Sequence, residues 1–212
     1  MSDPVQKEPR RAEPRRARGR PRTYDPDTAL ARATRSFWRA GFSGTSLDAL
    51  CEAMDMNRPS LYGAFGDKRD LYLTALERYV AGARAGMTDA LAPERPLAAG
   101  LARVYELALA LYFADAKAPL GCFLIGTAAT EAARDAGVRD ALGGGLGELT
   151  LCFERRLRAA KKSGELDASA DPKLLADMAS AVLFSIALRA RAGHPRAQLA
   201  KFARQAVKTL VG

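Results

Sequence analysis

The stretch from Thr45 to Leu71 carries the side chains best suited to recognising another molecule. Its residue pattern predicts two short helices joined by a tight turn, followed by the start of a third. Asn57 is a good N-cap for the second helix, and Pro59 fits its first turn, where no amide partner is lost. Arg58 and Ser60 then lie at the exposed front of that helix. Such side chains can hydrogen bond to base edges in the major groove of DNA.

Caps and apolar spacing predict the elements that position these side chains. Thr45 is the expected N-cap of the first short helix, and Asp48 completes a capping box three residues later. Apolar residues at helical spacing give both helices a buried stripe, formed by Leu47, Leu50, Cys51, Met54, Leu61 and Phe65. A generic helical hairpin with a solvated polar face would show the same spacing, so spacing alone does not establish a DNA reader.

Two linked motifs at a matching separation make this region specific. Residues 37–46 read FWRAGFSGTS and residues 61–71 read LYGAFGDKRDL. Both resemble the DNA-binding domain of TetR-type transcriptional regulators. The resemblance implies that Tyr62 and Lys68 contact the DNA backbone. Gly63 and Ala64 stand where the family often has His or Arg, so we expect base readout to depend on Arg58 and Ser60. The remaining predicted DNA contacts in this unit are Thr45, Ser46, Asn57 and Pro59.

The N-terminal arm, residues 1–22, is strongly basic. It holds eight basic and three acidic side chains, and so carries +5 of the net charge of +9, whereas residues 23–66 are nearly neutral. Its Pro- and Arg-rich composition without apolar periodicity predicts disorder. Arg18, Arg20 and Arg22 lie in a sequence that resembles an AT-hook core, which can enter an A·T-rich minor groove. A tail that binds phosphate without sequence preference is an equal alternative.

The composition of the 212 residues is typical of an all-α protein. The hydrophobic fraction of 48% is carried by Ala and Leu, which favour helices. No apolar run reaches membrane-spanning length, and three Cys without paired spacing indicate a reducing compartment, so we expect a cytoplasmic protein. We predict a helix-turn-helix domain over residues 23–66, a connecting helix over 67–91, and a regulatory and dimerisation domain over 92–212.

Four or five helical segments are predicted after residue 92. One spans about 97–116, Pro119 opens the next, a long helix over about 135–162 is weakened or broken at Gly143–Gly145, and two more span about 172–192 and 195–211. The resemblance implies a ligand pocket among the middle helices and a dimer interface on the last two. The pocket candidates are apolar or aromatic, and could equally be core: Tyr105, Leu109, Tyr112, Cys122, Phe123, Phe153 and Met178. The interface candidates are Leu175, Val182, Ile186 and Phe202.

No pattern of residues predicts catalysis, a metal site or a cofactor. The single His, His194, stands between Gly and Pro in a helix connection, and the glycine run at 143–147 lacks the Lys-Ser/Thr of a phosphate-binding loop. Cys122 has no neighbouring Lys or His to lower its pKa, which favours a buried structural thiol over a reactive one.

These observations predict a ligand-responsive, homodimeric DNA-binding regulator, a repressor that a small molecule releases from a palindromic operator. Two alternatives remain. One is a basic architectural protein that binds nucleic acid through its arm and has no effector. The other is a regulator that senses oxidants or electrophiles through a cysteine. A repressor should prefer its operator over random DNA by about 10³-fold or more, which separates it from the architectural protein.

Overall fold

The computed structural model describes residues 24–115 and 118–212, and over these ranges the chain is helical without a β-strand, which confirms the all-α prediction. The predicted DNA contacts Arg18, Arg20 and Arg22 lie outside the described residues. The helices run in chain order as α1 Pro26–Ala40, α2 Leu47–Met54, α3 Arg58–Phe65, α4 Lys68–Ala90, α5 Leu97–Tyr112, a π-helical segment Leu124–Ala128, α6 Ala129–Glu131, α7 Ala136–Ser163, α8 Pro172–Arg191 and α9 Arg196–Val211.

Side-chain caps define the first four helices. The Asp25 carboxylate accepts from the Thr28 amide at 3.0 Å at the start of α1. The predicted cap of α2 is wrong by one residue. The Ser46 hydroxyl caps this helix, whereas Thr45 is only 3% exposed and its hydroxyl donates to the Gly41 carbonyl at 2.6 Å. The Thr45 hydroxyl therefore closes the preceding turn and does not cap α2.

The expected capping box of α2 is found instead at α4. The Asp67 carboxylate accepts from the amide of Asp70 at 2.9 Å, and the Asp70 carboxylate accepts from the Asp67 amide at 3.2 Å. This pair satisfies two amides that the helix start would leave unbonded. It also fixes the point where α3 turns into the long α4, which connects the two parts of the molecule.

Aromatic rings join the N-terminal helices to the rest of the chain. The ring centroids of Phe37 on α1 and Tyr72 on α4 lie 5.1 Å apart, and Tyr72 lies 5.9 Å from Phe123, which precedes the π-helical segment. Trp38 contacts Tyr79 edge-on at 5.3 Å and Phe123 at 5.8 Å. The helix-turn-helix unit thus packs directly on the wall of the C-terminal domain.

Three features of the C-terminal domain differ from the prediction. Helix α5 ends at Tyr112, four residues early, and Pro119 does not open a helix, because helical structure resumes only at Phe123. Helix α7 continues through the glycine run without a break. A Cβ on Gly145 would come within 2.9 Å of the side chains of Leu124 and Val80, so any larger residue there would displace them. Within the described residues, no helix is long and apolar enough to cross a membrane.

Candidate nucleic-acid interface and effector cleft

Helix α3 is anchored on one side and open on the other. Leu61 is fully buried beneath it, and the Asn57 side chain accepts from the Ser60 amide at 2.9 Å, which confirms the predicted N-cap. Pro59 and Tyr62 are exposed on the open side, and Tyr62 is one of the few large apolar residues left to solvent. An exposed helix N-terminus can approach phosphate and base edges.

Arg58 has a partner that its sequence position did not predict. Its Nε and Nη2 both donate to one carboxylate oxygen of Asp48, at 3.1 and 2.8 Å. Both side chains are exposed, so the pair is weak and solvent-screened. Asp48 holds the guanidinium beside α2 at the front of α3, and a base must compete with this carboxylate for Arg58.

The other predicted DNA contacts differ in exposure. Ser46 and Asn57 are exposed at their helix starts, Ser60 is half-buried and Thr45 is buried, and the DNA contacts of these residues stay predictions. The Lys68 ammonium lies 4.3 Å from the centre of the Phe42 ring, and burial lowers the pKa of this lysine. Lys68 therefore packs against the unit as well as carrying charge near its surface.

A cleft of about 380 Å³ lies between α4 and α5. Most of its wall comes from apolar residues of these two helices, and its inner end is closed by Cys122, Leu149 and Leu183. The inner residues are buried, whereas Gly82 on α4 and Leu111 on α5 are exposed, so the cleft opens to solvent between these two helices. Its size and apolar lining are typical of small-molecule sites.

Polar groups are concentrated at the inner end of the cleft. The Tyr79 hydroxyl donates to the Cys122 thiol at 3.3 Å, and the Tyr112 hydroxyl also interacts with this sulfur. Burial raises the pKa of the Cys122 thiol, although these hydroxyls and the amides of Leu124 and Ile125 act in the opposite direction. The thiol is therefore protonated at neutral pH.

Only two of the seven predicted pocket residues, Tyr112 and Cys122, line this cleft. The other five lie elsewhere, because an amphipathic pattern does not separate a cavity wall from packed core. Tyr105, Phe123 and Phe153 are core, Leu109 faces a shallow depression beside α9, and Met178 is exposed on α8. The wall that the prediction missed is α4, where Gly82 and Gly86 recur one helical turn apart.

Exposed apolar side chains form a stripe on α8. Leu174, Met178 and Leu188 recur at intervals that place them on one face of this helix, and all three are exposed. The predicted interface residue Ile186 is 0% exposed within the single chain, because α8 buries it against its own domain, and its place in an interface stays a prediction. The remaining candidates, Leu175, Val182 and Phe202, are partly buried.

Comparisons with known proteins agree with this architecture. A family model described as bacterial regulatory proteins, tetR family, matches residues 29–75, and one described as tetracyclin repressor-like, C-terminal domain, matches residues 100–206. Among the described residues, no group of His, Cys, Asp and Glu could hold a metal ion.

Individual relatives span almost the whole chain. A structure of a cysteine mutant of the TetR family transcriptional regulator CifR, complexed with 26-base-pair operator DNA, is 36% identical, with a TM-score of 0.77, over 89% of this chain and 98% of that one. The transcriptional repressor ComR of Escherichia coli is 29% identical over 88% of this chain and 89% of ComR. Reduced NemR of Escherichia coli, at 20% identity, has the same fold, with a TM-score of 0.76 over 88% and 97% of the two chains. This chain belongs to the TetR family of bacterial regulatory proteins.

Proposed function

We propose that this protein is a homodimeric transcriptional repressor, which binds double-stranded operator DNA through α3 and leaves it when a small molecule occupies the cleft. The observation that carries the proposal is the exposed, side-chain-capped front of α3, which presents Arg58, Pro59 and Tyr62. Its similarity to CifR, whose structure contains operator DNA, supports the same use of this surface. Such a regulator acts where the bacterial chromosome lies, in the cytoplasm.

A dimer supplies what a single unit lacks. Helix α3 has eight residues and reaches few base pairs, whereas two-fold dimers read paired half-sites about 34–36 Å apart. The exposed stripe of Leu174, Met178 and Leu188 on α8 is the apolar surface that we assign to the partner subunit. Helix α8 packs on α7, and α7 packs on α4. The distance between the two α3 helices of a dimer therefore depends on the relative positions of these three helices.

Contacts from the cleft to the helix-turn-helix unit support the release step. Trp38 of α1 packs on Tyr79, which lines the cleft, and the Tyr72 hydroxyl shares a 2.7 Å hydrogen bond with Thr127 of the π-helical segment. An effector that binds one arrangement of these contacts more tightly shifts the population toward it. The DNA affinity then falls by the ratio of the effector affinities for the two arrangements.

The proposal is tested by selecting binding sites from random DNA with the full-length protein, then measuring affinity by fluorescence anisotropy at fixed salt. We expect a two-fold symmetric consensus that is bound about 10³-fold or more tightly than scrambled DNA of the same length. Equal binding of consensus and scrambled duplexes would contradict the proposal and support a basic architectural protein instead. Salt must be held constant, because phosphate contacts alone change affinity steeply with ionic strength.

A second candidate, covalent sensing at Cys122, is favoured by the position of this thiol at the inner end of the cleft. In a test with iodoacetamide, the sulfur forms a bond to carbon, iodide leaves and the thiol proton passes to solvent. Because burial raises the pKa of Cys122, its thiolate fraction at neutral pH is smaller than that of a free cysteine. Alkylation should therefore keep accelerating above the pH at which a free thiol reaches its plateau.

The covalent candidate predicts that alkylation lowers operator affinity in the native protein and has no effect in Cys122→Ser. Cys51 and Cys152 provide the comparison, since both are free but neither lines the cleft. If Cys122→Ser loses affinity on alkylation as the native protein does, covalent sensing does not act through this site. Mass spectrometry of the modified peptides identifies which thiol reacted.

A further inference from the structure

Two glycines leave one wall of the cleft bare. Gly82 and Gly86 lie one turn apart in the interior of the 23-residue helix α4, and both line the cleft. A Cβ at either position would meet no atom within 4 Å, so packing within the protein does not require a glycine there. Glycine is among the least favourable residues inside a helix. Keeping two of them here preserves an open, flat strip of backbone along the cleft.

A positive charge stands one turn before this strip. Arg78 lines the cleft, and among the lining residues in the described ranges it is the only charged one. Its Nη1 donates to the Asp27 carboxylate at 2.7 Å and to the Asp27 carbonyl at 3.3 Å. Asp27 lies in the first turn of α1, so Arg78 joins the cleft to the helix-turn-helix unit.

We propose that the effector is a flat, largely apolar acid, with its ring lying on the bare wall of Gly82 and Gly86 and its carboxylate paired with Arg78. This inference rests on the proposed function and specifies the chemical class of its effector. The apolar lining favours a hydrophobic body, and a charged group entering the cleft needs an opposite charge to offset its desolvation. An arginine offers a carboxylate two parallel hydrogen bonds, which a neutral amide cannot match in strength.

The carboxylate also explains how binding reaches α1. It competes with Asp27 for the same guanidinium, so the bound state loses the contact between Arg78 and the first turn of α1. An effector that binds only after Arg78 has left Asp27 favours the conformation in which α1 is less firmly held to α4. That difference in affinity between two conformations is what a population shift requires.

The test uses biphenyl-4-carboxylate and its neutral isostere biphenyl-4-carboxamide, titrated into the full-length protein by calorimetry. We expect the acid to bind about tenfold or more tightly than the amide, the difference expected for a hydrogen-bonded ion pair. Arg78→Gln should remove this preference while leaving the amide affinity unchanged. Gly86→Leu should weaken both ligands, whereas Gly143→Ala, a solvent-facing glycine of α7 outside the cleft, should weaken neither.

The Asp27→Asn substitution should change the affinity for the acid in the direction opposite to Arg78→Gln. Removing the competing carboxylate should tighten the acid and leave the amide unaffected, an outcome that a merely damaged fold would not produce. Equal affinity of acid and amide, a preference retained in Arg78→Gln, or binding of neither probe at its solubility limit would each overturn the inference. Operator binding is measured alongside without probe. A protein that still discriminates its operator keeps the proposed function even where the probes fail, whereas loss of discrimination contradicts that function separately.

Discussion

The two halves of this molecule differ in how consistently side chains cap the starts of their helices. Helices α1 to α4 each begin with a side chain that accepts a backbone amide, from Asp25, Ser46, Asn57 and Asp67. In the C-terminal domain, α7 and α8 begin with such caps from Asp135 and Asp171, whereas α5, the π-helical segment and α9 have none. Every helix boundary at the start of α1 to α4 is therefore marked by a neighbouring side chain, whereas in the C-terminal domain several helix starts depend on contacts between distant residues.

This difference matches what each half has to do. A DNA-reading unit must hold a few side chains in one arrangement, and local caps fix them independently of the rest of the chain. A domain that responds to a ligand needs at least two arrangements of similar free energy. Helices held by tertiary packing, with a π-helical turn beside the cleft, are better suited to change.

The largest expected effect tests whether the locally specified unit can act alone. Met178→Asp and Leu188→Asp would each bury an unpaired carboxylate twice in a two-fold interface along α8. An uncompensated buried charge costs about 3–5 kcal/mol, so the dimer should weaken by about 10²-fold or more. Sedimentation should show folded monomers, and operator binding should fall although α3 is unchanged.

Two control variants show whether a loss of the dimer comes from the α8 surface. Ala85→Asp adds the same charge to an exposed position of α4 and should leave the dimer intact. Ile186→Asp should instead reduce the helical content of the chain, because Ile186 is fully buried within it. Dimers that persist in both Met178→Asp and Leu188→Asp would place the partner contact elsewhere.

The second-largest expected effect is on operator affinity and concerns the helix-turn-helix unit. Arg58→Ala should lose about 1–3 kcal/mol on the cognate operator and relax the preference at one base pair. Asp48→Ala should have the opposite sign, because it frees the guanidinium and removes a negative charge near the phosphates. Competitive binding against single-base-pair variants measures both. An unchanged consensus for Arg58→Ala would show that this side chain does not contact a base.

Much of the N-terminal half was predictable because its signals are local. Residue type and spacing place the cap Asn57 correctly. The cap of α2 was misplaced because adjacent Thr45 and Ser46 are both good caps, and only the turn shows that Thr45 bonds to Gly41. Likewise, the ion pair of Arg58 with Asp48 crosses from one helix to another, and sequence spacing does not encode it.

The lining of the cleft differs from the predicted pocket residues for a physical reason. An inward-facing residue looks the same in sequence whether it meets another side chain or an empty volume. The apolar pattern therefore does not distinguish Phe153 and Tyr105 from lining residues, although their rings pack on each other, with centroids 6.2 Å apart. The one local signal was the pair Gly82 and Gly86, which costs helix stability without a packing reason.

A smaller effect measures one contact between the halves. Tyr72→Phe removes the hydroxyl that shares a 2.7 Å hydrogen bond with Thr127. Thr127 still donates to the Phe123 carbonyl at 2.8 Å, so no buried donor is orphaned, and the cost should be about 0.5–1.5 kcal/mol. Burial raises the pKa of Tyr72 to about 12, so the loss should be constant across neutral pH. Urea unfolding measures it, and the exposed Tyr62→Phe should change stability by less than about 0.5 kcal/mol.

The smallest expected effect is on the free energy of unfolding and concerns α7. This helix contains both solvent-facing glycines and one that is closely packed. A Cβ on Gly143 or Gly144 would meet nothing within 4 Å, so Ala at either position should stabilise the protein by about 0.5–1 kcal/mol. The same change at Gly145 should destabilise it, because its Cβ would come within 2.9 Å of Leu124 and Val80. Thermal unfolding of the three single variants gives the signs directly. If all three variants are stabilised, the packing of α7 on α4 is looser than these distances imply, and tertiary contacts do not fix this part of the C-terminal domain.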